Sequence, residues 1–318
     1  PHAAVGIHSP VDIRVEGDVV NLLEKPEWTA TLEGRNVDLE AFIKHCPKID
    51  LATVHGQVHG NTDGYWGKVQ AVGAWGTLDN MQVQTTISAG LMGIDFDTLR
   101  IDRGDGWAVA ENAKIDWKRL FDWQGLFHFK NFDPSHFFDF LPGKIDADLT
   151  SVGTVRDDLG VDVTFEVARL EGSLRDRPIS AVGTVTLNEN DVRTEGMIVR
   201  SGEVEGSARI EKGMISWAGK VSWSWNIRLD NFDPSGLYPD FPGQVSGVLA
   251  GEGFLGSSGA EGFLRISDIS GQLRGNSLAG SGEISLTNDT IQTTGLFLRS
   301  GASQLVVQGQ AGDAFALD

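Results

Sequence analysis

Apolar and polar residues alternate along most of this chain. Val161, Val163, Phe165 and Val167 are separated by Asp162, Thr164 and Glu166. Ile145, Ala147 and Leu149 alternate with Lys144, Asp146 and Asp148. Met81, Val83 and Ile87 share one parity, with Gln82, Gln84 and Thr86 between them; Ile284 and Leu286 alternate with Ser285 and Thr287. A period of two predicts strands with one apolar face and one wet face. Turn residues break these runs roughly every 8 to 14 positions, at Asp157-Asp158-Leu159-Gly160, Asn188-Glu189-Asn190-Asp191 and Asn288-Asp289. No helical pattern recurs at the length a parallel crossover needs, so the expected sheet is antiparallel.

The chain also repeats itself. Asn131-Phe132-Asp133-Pro134-Ser135 leads to Leu141-Pro142-Gly143, and 100 positions later Asn231-Phe232-Asp233-Pro234-Ser235 leads to Phe241-Pro242-Gly243. A fainter copy runs from Asn36-Val37-Asp38 to Cys46-Pro47, 95 positions before the middle one. Leu170-Glu171-Gly172-Ser173-Leu174-Arg175 recurs as Ile269-Ser270-Gly271-Gln272-Leu273-Arg274. Arg200-Ser201-Gly202 recurs as Arg299-Ser300-Gly301, with Arg103-Gly104 as the first-copy equivalent. These matches delimit three units, 24–118, 119–218 and 219–318, with 1–23 as the end of a preceding one. Each is expected to hold about eight short strands and one small helix. The helix falls on the repeated motif, where Asp133-Pro134 and Asp233-Pro234 supply an N-cap and first-turn proline, and Pro142 and Pro242 a stop. A protein built this way is elongated, and its function lies on the surface its units share.

Composition narrows the function. The formal charge of −18 repels nucleic acid and argues against lying flat on an anionic membrane. Cys46 is the one cysteine, so no internal disulfide forms; its repeat equivalents are Leu141 and Phe241, which marks it as an apolar filler. No apolar run is long enough for a membrane-spanning helix. The chain starts at Pro1 without methionine, as expected of a piece of a longer protein.

Candidate chemistry is sparse, and neither an enzyme, a cofactor nor a metal is expected. His55 and His59 lie four apart, but on a strand that spacing is about 13 Å, too far for one ion. Asp102-Arg103-Gly104-Asp105 reads as a turn. Asp95 and Asp97 read as a solvated carboxylate pair. Gly251, Gly253 and Gly256 have the spacing of a phosphate loop without its strand-to-helix context.

The motif Asn231-Phe232-Asp233-Pro234 to Phe241-Pro242-Gly243, with Gly282-Glu283-Ile284-Ser285-Leu286 and Leu298-Arg299-Ser300-Gly301 downstream, resembles the repeats of the TamB family, within the AsmA-like group. The resemblance implies a mainly β, curved, mostly antiparallel sheet folded into a U-shaped trough. It implies a bridge in the Gram-negative periplasm, in a parent protein anchored in the inner membrane, whose apolar groove carries phospholipid to the outer membrane. It also implies an outer-membrane barrel partner of the TamA type, bound through parts that need not lie in this chain. Groove candidates are Met81, Val83, Ile87, Ile145, Ala147, Leu149, Val161, Val163, Phe165, Val167, Val245, Leu249, Ile284 and Leu286. In a closed sandwich the same residues would be core. The rival function is a β-scaffold that helps outer-membrane barrel proteins assemble.

Overall fold

The computed structural model of the chain describes residues 2–7, 12–21, 23–38, 49–75, 78–90, 92–117, 121–136, 142–156, 160–202, 205–256, 259–287 and 290–311. It divides into two compact units: Pro1–Phe140 with Asp146–Leu159, and Leu141–Ile145 with Gly160–Asp318.

The first unit holds β1 (His2–Ile7), β2 (Asp12–Val20), β3 (Glu27–Asp38), β4 (Ile49–Gly60), β5 (Tyr65–Trp75), β6 (Leu78–Gly90), β7 (Gly93–Arg103), β8 (Gly106–Asp116), β9 (Phe121–Phe132) and most of β10 (Gly143–Val155). The second holds β11 (Val161–Leu174), β12 (Arg177–Leu187), β13 (Asp191–Ser201), β14 (Ser207–Ser216), β15 (Val221–Phe232), β16 (Gly243–Gly256), β17 (Gly259–Leu273), β18 (Asn276–Thr287), β19 (Thr290–Ser300) and β20 (Ser303–Ala311). Within each unit every strand pairs with the next in sequence, and the pairings are antiparallel meanders, as in β3–β4 and β16–β17. Each unit is an open sheet.

Register carries one parity across each unit. In the second unit one row reads Val163, Leu187, Val192, Ile215, Trp223, Gly253, Gly262, Leu286 and Ile291. A row nearer the opposite strand ends reads Ile210, Ile227, Leu249, Ile266, Gly282, Leu296 and Val307. The first unit has the matching row Val19, Trp28, Gly60, Tyr65, Ala89, Ile94, Ile115 and Trp123. The other parity is polar: Glu166, Thr184, Glu195, Lys212 and Asn226 form one such row. Burial follows the same alternation, with β3 switching residue by residue between exposed and half-buried. The fully buried core is small. Val37, Val54 and Ala71 form one cluster, with Ile13, Leu32, Leu51, Val69 and Val83 against it.

Among the described residues each repeat contains six strands, fewer and longer than the eight expected, for instance β9 to β14 in 119–218. Bulges explain the difference. The register shifts between Val167 and Leu170 and between Ile266 and Ile269, so the apolar parity changes partway along one continuous strand. A parity change in sequence reads as a strand end; in the fold it is an extra residue that adds twist.

In the third copy the repeated motif does not form the small helix expected. Among the described residues no α-helix occurs, and the motif forms single 3-10 turns at Pro134–His136 and Pro234–Gly236. Residues 39–48 and 137–141, where the rest of the first two copies falls, lie outside the described residues. In the third copy Asp233 does cap, but its Oδ1 accepts from Ser235 N at 2.9 Å and from Gly243 N at 3.3 Å, tying the segment back to the start of β16. So short a segment cannot repay helix nucleation. The motif's asparagine marks a backbone kink instead: Asn36, Asn131 and Asn231 have φ of 53°, 50° and 46°, a left-handed conformation that asparagine tolerates better than most residues.

Different motifs of the repeat, 35 and 62 positions apart, meet in space. Gly236 N donates to Ser201 Oγ at 3.0 Å, and Arg175 Nη1 donates to the Leu237 carbonyl at 2.6 Å. Gly202 has φ 83°, and a Cβ there would lie 2.2 Å from Asp233 Oδ2. Gly219 has a similar φ of 74° with nothing within 4 Å of its Cβ position. Gly219→Ala should therefore cost only about 1 kcal/mol of backbone strain. Gly202→Ala should cost a further ~1–3 kcal/mol by displacing the buried Asp233 cap. Urea denaturation of the two variants checks this; equal losses would contradict the packing of the turn.

Candidate functional site

The apolar face of each unit is where the candidate residues lie. Met81, Val83 and Ile87 sit on the face of the first unit that also carries Val54 and Val58, since Val83 opposes Ala71 and Ile87 opposes Gly67. Ala147 and Leu149 share the parity of Ser151 and Gly153, which face the Trp123 indole. Ile145 has the same parity on β10. In the second unit Val161, Val163, Phe165, Val167, Val245, Leu249, Ile284 and Leu286 all lie on the face traced by the apolar rows. No candidate falls on the polar face.

Their burial is graded. Met81, Ala147, Val163 and Val245 are buried, while Val83, Ile87, Ile145, Leu149, Phe165, Val167, Leu249, Ile284 and Leu286 are half-buried. Some side chains of this face are exposed: Val161 is 37 %, Ile291 42 % and Ile215 51 % exposed. A side chain in the middle of a packed two-layer core would be fully buried. Half-burial of successive apolar neighbours, such as Ile227, Leu249 and Ile266, is what a single apolar sheet surface produces.

Aromatic rings lie on this face over glycines of the next strand. A Cβ on Gly60 would lie 2.2 Å from Trp28 Cζ2, and one on Gly153 2.2 Å from Trp123 Cζ2. Gly253 and Gly251 meet the Trp223 and Trp225 indoles at 2.6 and 2.7 Å in the same way. Ring-over-glycine packing restores the apolar contact that the missing side chain gives up. It explains the glycine spacing of 251–256, which is a strand beneath two indoles and not a phosphate loop. Trp123 Nε1 donates to Ser151 Oγ at 3.1 Å, satisfying a polar group buried on this face. Pattern reading missed these tryptophans as face residues. Trp28, Trp123 and Trp223 stand 95 and 100 positions apart, and each faces a glycine 30 or 32 residues on.

The polar face carries cross-strand charged and hydrogen-bonded pairs. Arg265 Nε meets Glu283 Oε2 at 2.7 Å directly across β17 and β18, and His128 Nδ1 meets Asp148 Oδ1 at 2.7 Å. Arg193 is held above its ordinary pKa by hydrogen bonds to Asp191, with direct charge attraction adding to them. Asp191 itself is buried, whereas an exposed pair such as Arg265 with Glu283 adds little stability. Two open hollows, of about 490 and 630 Å³, lie on this side; Lys68, Arg100 and Glu111 line one, and Arg193, Glu195 and Lys212 the other. Their charged walls do not suit an acyl chain.

The residues considered for other chemistry are dispersed. His55 opposes Glu33 and Gln70 on the polar face, and His59 stacks on Trp66 with ring centroids 6.3 Å apart. Among the described residues no group of three or more His, Cys, Asp or Glu is placed to hold a metal. Asp102 precedes the β7–β8 turn and is bound by Arg100, whose Nη2 lies 2.6 Å from Oδ1. Asp97 sits at a register shift of β7 and Asp95 opposes Lys114, and both are exposed. Cys46 and Leu141 lie outside the described residues; Phe241 is exposed beneath the Arg274 guanidinium at 5.9 Å.

Gly153→Val should push the Trp123 indole off β10 and cost about 1–3 kcal/mol through overpacking. Combined with Trp123→Ala, the loss should fall short of the sum of the single losses, because the clash then has no partner. Denaturation of the single and double variants measures this; strict additivity would contradict the ring-over-glycine contact.

Comparison with known proteins adds one match. Neither the curated proteins nor the solved structures gave one. Among the described residues no helix is long and apolar enough to cross a membrane. The family model described as TamB, N-terminal domain, matches residues 2–209 and again 202–318, spanning nearly the whole sequence. The chain belongs to the TamB family.

Proposed function

We propose that the chain is a non-enzymatic segment of a periplasmic bridge that shields phospholipid acyl chains on its apolar face during transport between the inner and outer membranes. The observation that carries this reading is the half-buried apolar parity, held on one face by register through strand after strand within each unit. Membership of the TamB family supports a transport role in outer-membrane biogenesis. A U-shaped trough is the natural form for such a sheet, because twist and frequent bulges curl it and bring its apolar face inward.

The chemistry needed is small. Each methylene laid on the face gains about 0.8 kcal/mol on leaving water. An extended acyl chain laid across the strands spans several of them at roughly 4.8 Å each. Neighbouring stretches offer similar Val, Ile, Leu and Trp surfaces, so a chain moves between equivalent positions without a deep trap. Headgroups stay in water at the open side, where charge need not be buried. The proposed partner at the far end is an outer-membrane barrel protein of the TamA type.

Val163 is too buried to probe this cleanly, because a carboxylate there would cost several kcal/mol and unfold the strand. Phe165→Asp and Leu249→Glu alter half-buried positions instead. Both variants should keep the strand signature in circular dichroism and lose co-purified phospholipid in native mass spectrometry. Variants that melt as misfolded cores would favour the closed sandwich. Folded variants with undiminished lipid would remove the apolar face from the transport path. Loss of bound unfolded barrel proteins, with lipid unchanged, would favour the β-scaffold.

A further inference from the structure

Three connections lead into the strands that carry the face tryptophans: β2–β3 ahead of Trp28, β8–β9 ahead of Trp123 and β14–β15 ahead of Trp223. Each supplies a large apolar residue and then a cation: Leu23 and Lys25, Trp117 with Lys118 and Arg119, and Trp217 and Lys220. Lys25 and Lys220 both stand three residues before their tryptophan. Residues 118–120 lie outside the described residues.

The β14–β15 connection shows what this pattern builds. Trp217 N donates to the Asn190 carbonyl at 2.7 Å, and its Nε1 donates to the Glu189 carbonyl. The indole is thus fixed over the preceding turn with its polar atom satisfied, and it stays 44 % exposed. Trp117 N is held in the same way, by the Met92 carbonyl at 2.9 Å. Beside Trp217 the apolar face runs out to the strand ends as exposed Ile215, Val221 and Leu255, with Ile215 opposite Trp223 and Val221 opposite Leu255. Lys220 lies at the border of this patch. Its Nζ is 4.8 Å over the ring of Phe254, which has the polar parity, and 3.7 Å from where a Cβ on Gly256 would be, at the end of β16. Among the described residues no carboxylate pairs with Lys220 or with Lys25. In the first unit Lys25 is exposed beside the fully exposed Leu23. An ammonium without a counter-ion, next to apolar surface and an interfacial indole, matches what an amphiphile presents where its chains end and its charge begins.

Building on the acyl-chain reading of the apolar face, we propose that this rim is a headgroup station for glycerophospholipid. The Lys220 ammonium pairs with the phosphodiester of a lipid whose chains lie on the face beside Trp223, and Trp217 packs against its glycerol and ester region. Lys25 pairs in the same way with a lipid lying beside Trp28. The apolar face alone takes any acyl chain; the rim lysines add selection for a phosphodiester.

The test uses the full chain and vesicles of dioleoylphosphatidylcholine doped with dioleoylglycerol, which has the same acyl chains and no phosphate. Native mass spectrometry identifies the lipids that the chain retains. These should be enriched in the phospholipid relative to the vesicles. Lys25→Gln combined with Lys220→Gln should lower that enrichment about fivefold, the effect of losing one exposed charge pair at each station. Both lysines are exposed, so the substitutions leave the strands intact. Lys212→Gln, which removes an exposed cation from the polar face, should leave the enrichment unchanged. Retention of both lipids in the vesicle proportion overturns the headgroup station and leaves the acyl-chain reading standing. The station is equally overturned by undiminished enrichment in the double variant, or by an equal loss in Lys212→Gln. Retention of neither lipid overturns the station and the acyl-chain reading together.

Discussion

The structure depends on register. A one-residue slip between two strands would move every apolar side chain of one of them to the wet face. Within each unit the apolar parity survives from strand to strand, although bulges interrupt the pairings. Tight hairpins hold that register. Arg175-Asp176 and Arg274-Gly275 both have positive φ at the two central positions, the turn geometry that matches strand twist. The Asn188–Asp191 turn is fixed by Asn188 Oδ1 accepting from Asn190 and Asp191. Local turn chemistry thus sets a long-range property, an apolar surface unbroken from strand to strand.

Two devices keep that surface in order. Indoles lie over glycines, so that large rings fit on a face without a second layer to hold them. The Asp-Pro-Ser turn folds from β15 back to β13, tying three strand ends together with buried Ser201, Asp233 and Ser235. Both devices stabilise the sheet from within and leave the middle of its apolar face half-exposed. The polar face contributes solubility through exposed pairs such as Arg228 with Glu211 at 3.4 Å.

Much of the fold was legible because period two is a direct image of a pleated strand. The alternation from Val161 to Val167 and from Ile145 to Leu149 is reproduced in space. The bulges were not legible, since Ala168-Arg169 looks like a strand end when no partner strand is in view. The motif at Asp233 carries helix signals, and it forms a 3-10 turn because its donors go to Asp233 and Ser201 instead of to a second helical turn. Likewise, the spacing of Gly251 and Gly253 has no meaning until Trp225 and Trp223 are placed across from them. Pairwise long-range contacts such as these leave no periodic trace in a single chain. The candidate face was found because it is periodic; its tryptophans were missed because each is a single residue per repeat.

The central claim is that one parity of each strand meets acyl chains and the other meets water. A photo-crosslinking residue placed in turn at Leu249 and at its neighbour Val248 tests this most directly, because the two differ only in the face they occupy. The account predicts phospholipid adducts at Leu249 and none at Val248 when the full chain is irradiated in the periplasm. Equal labelling at both, or adducts confined to Val248, would contradict it.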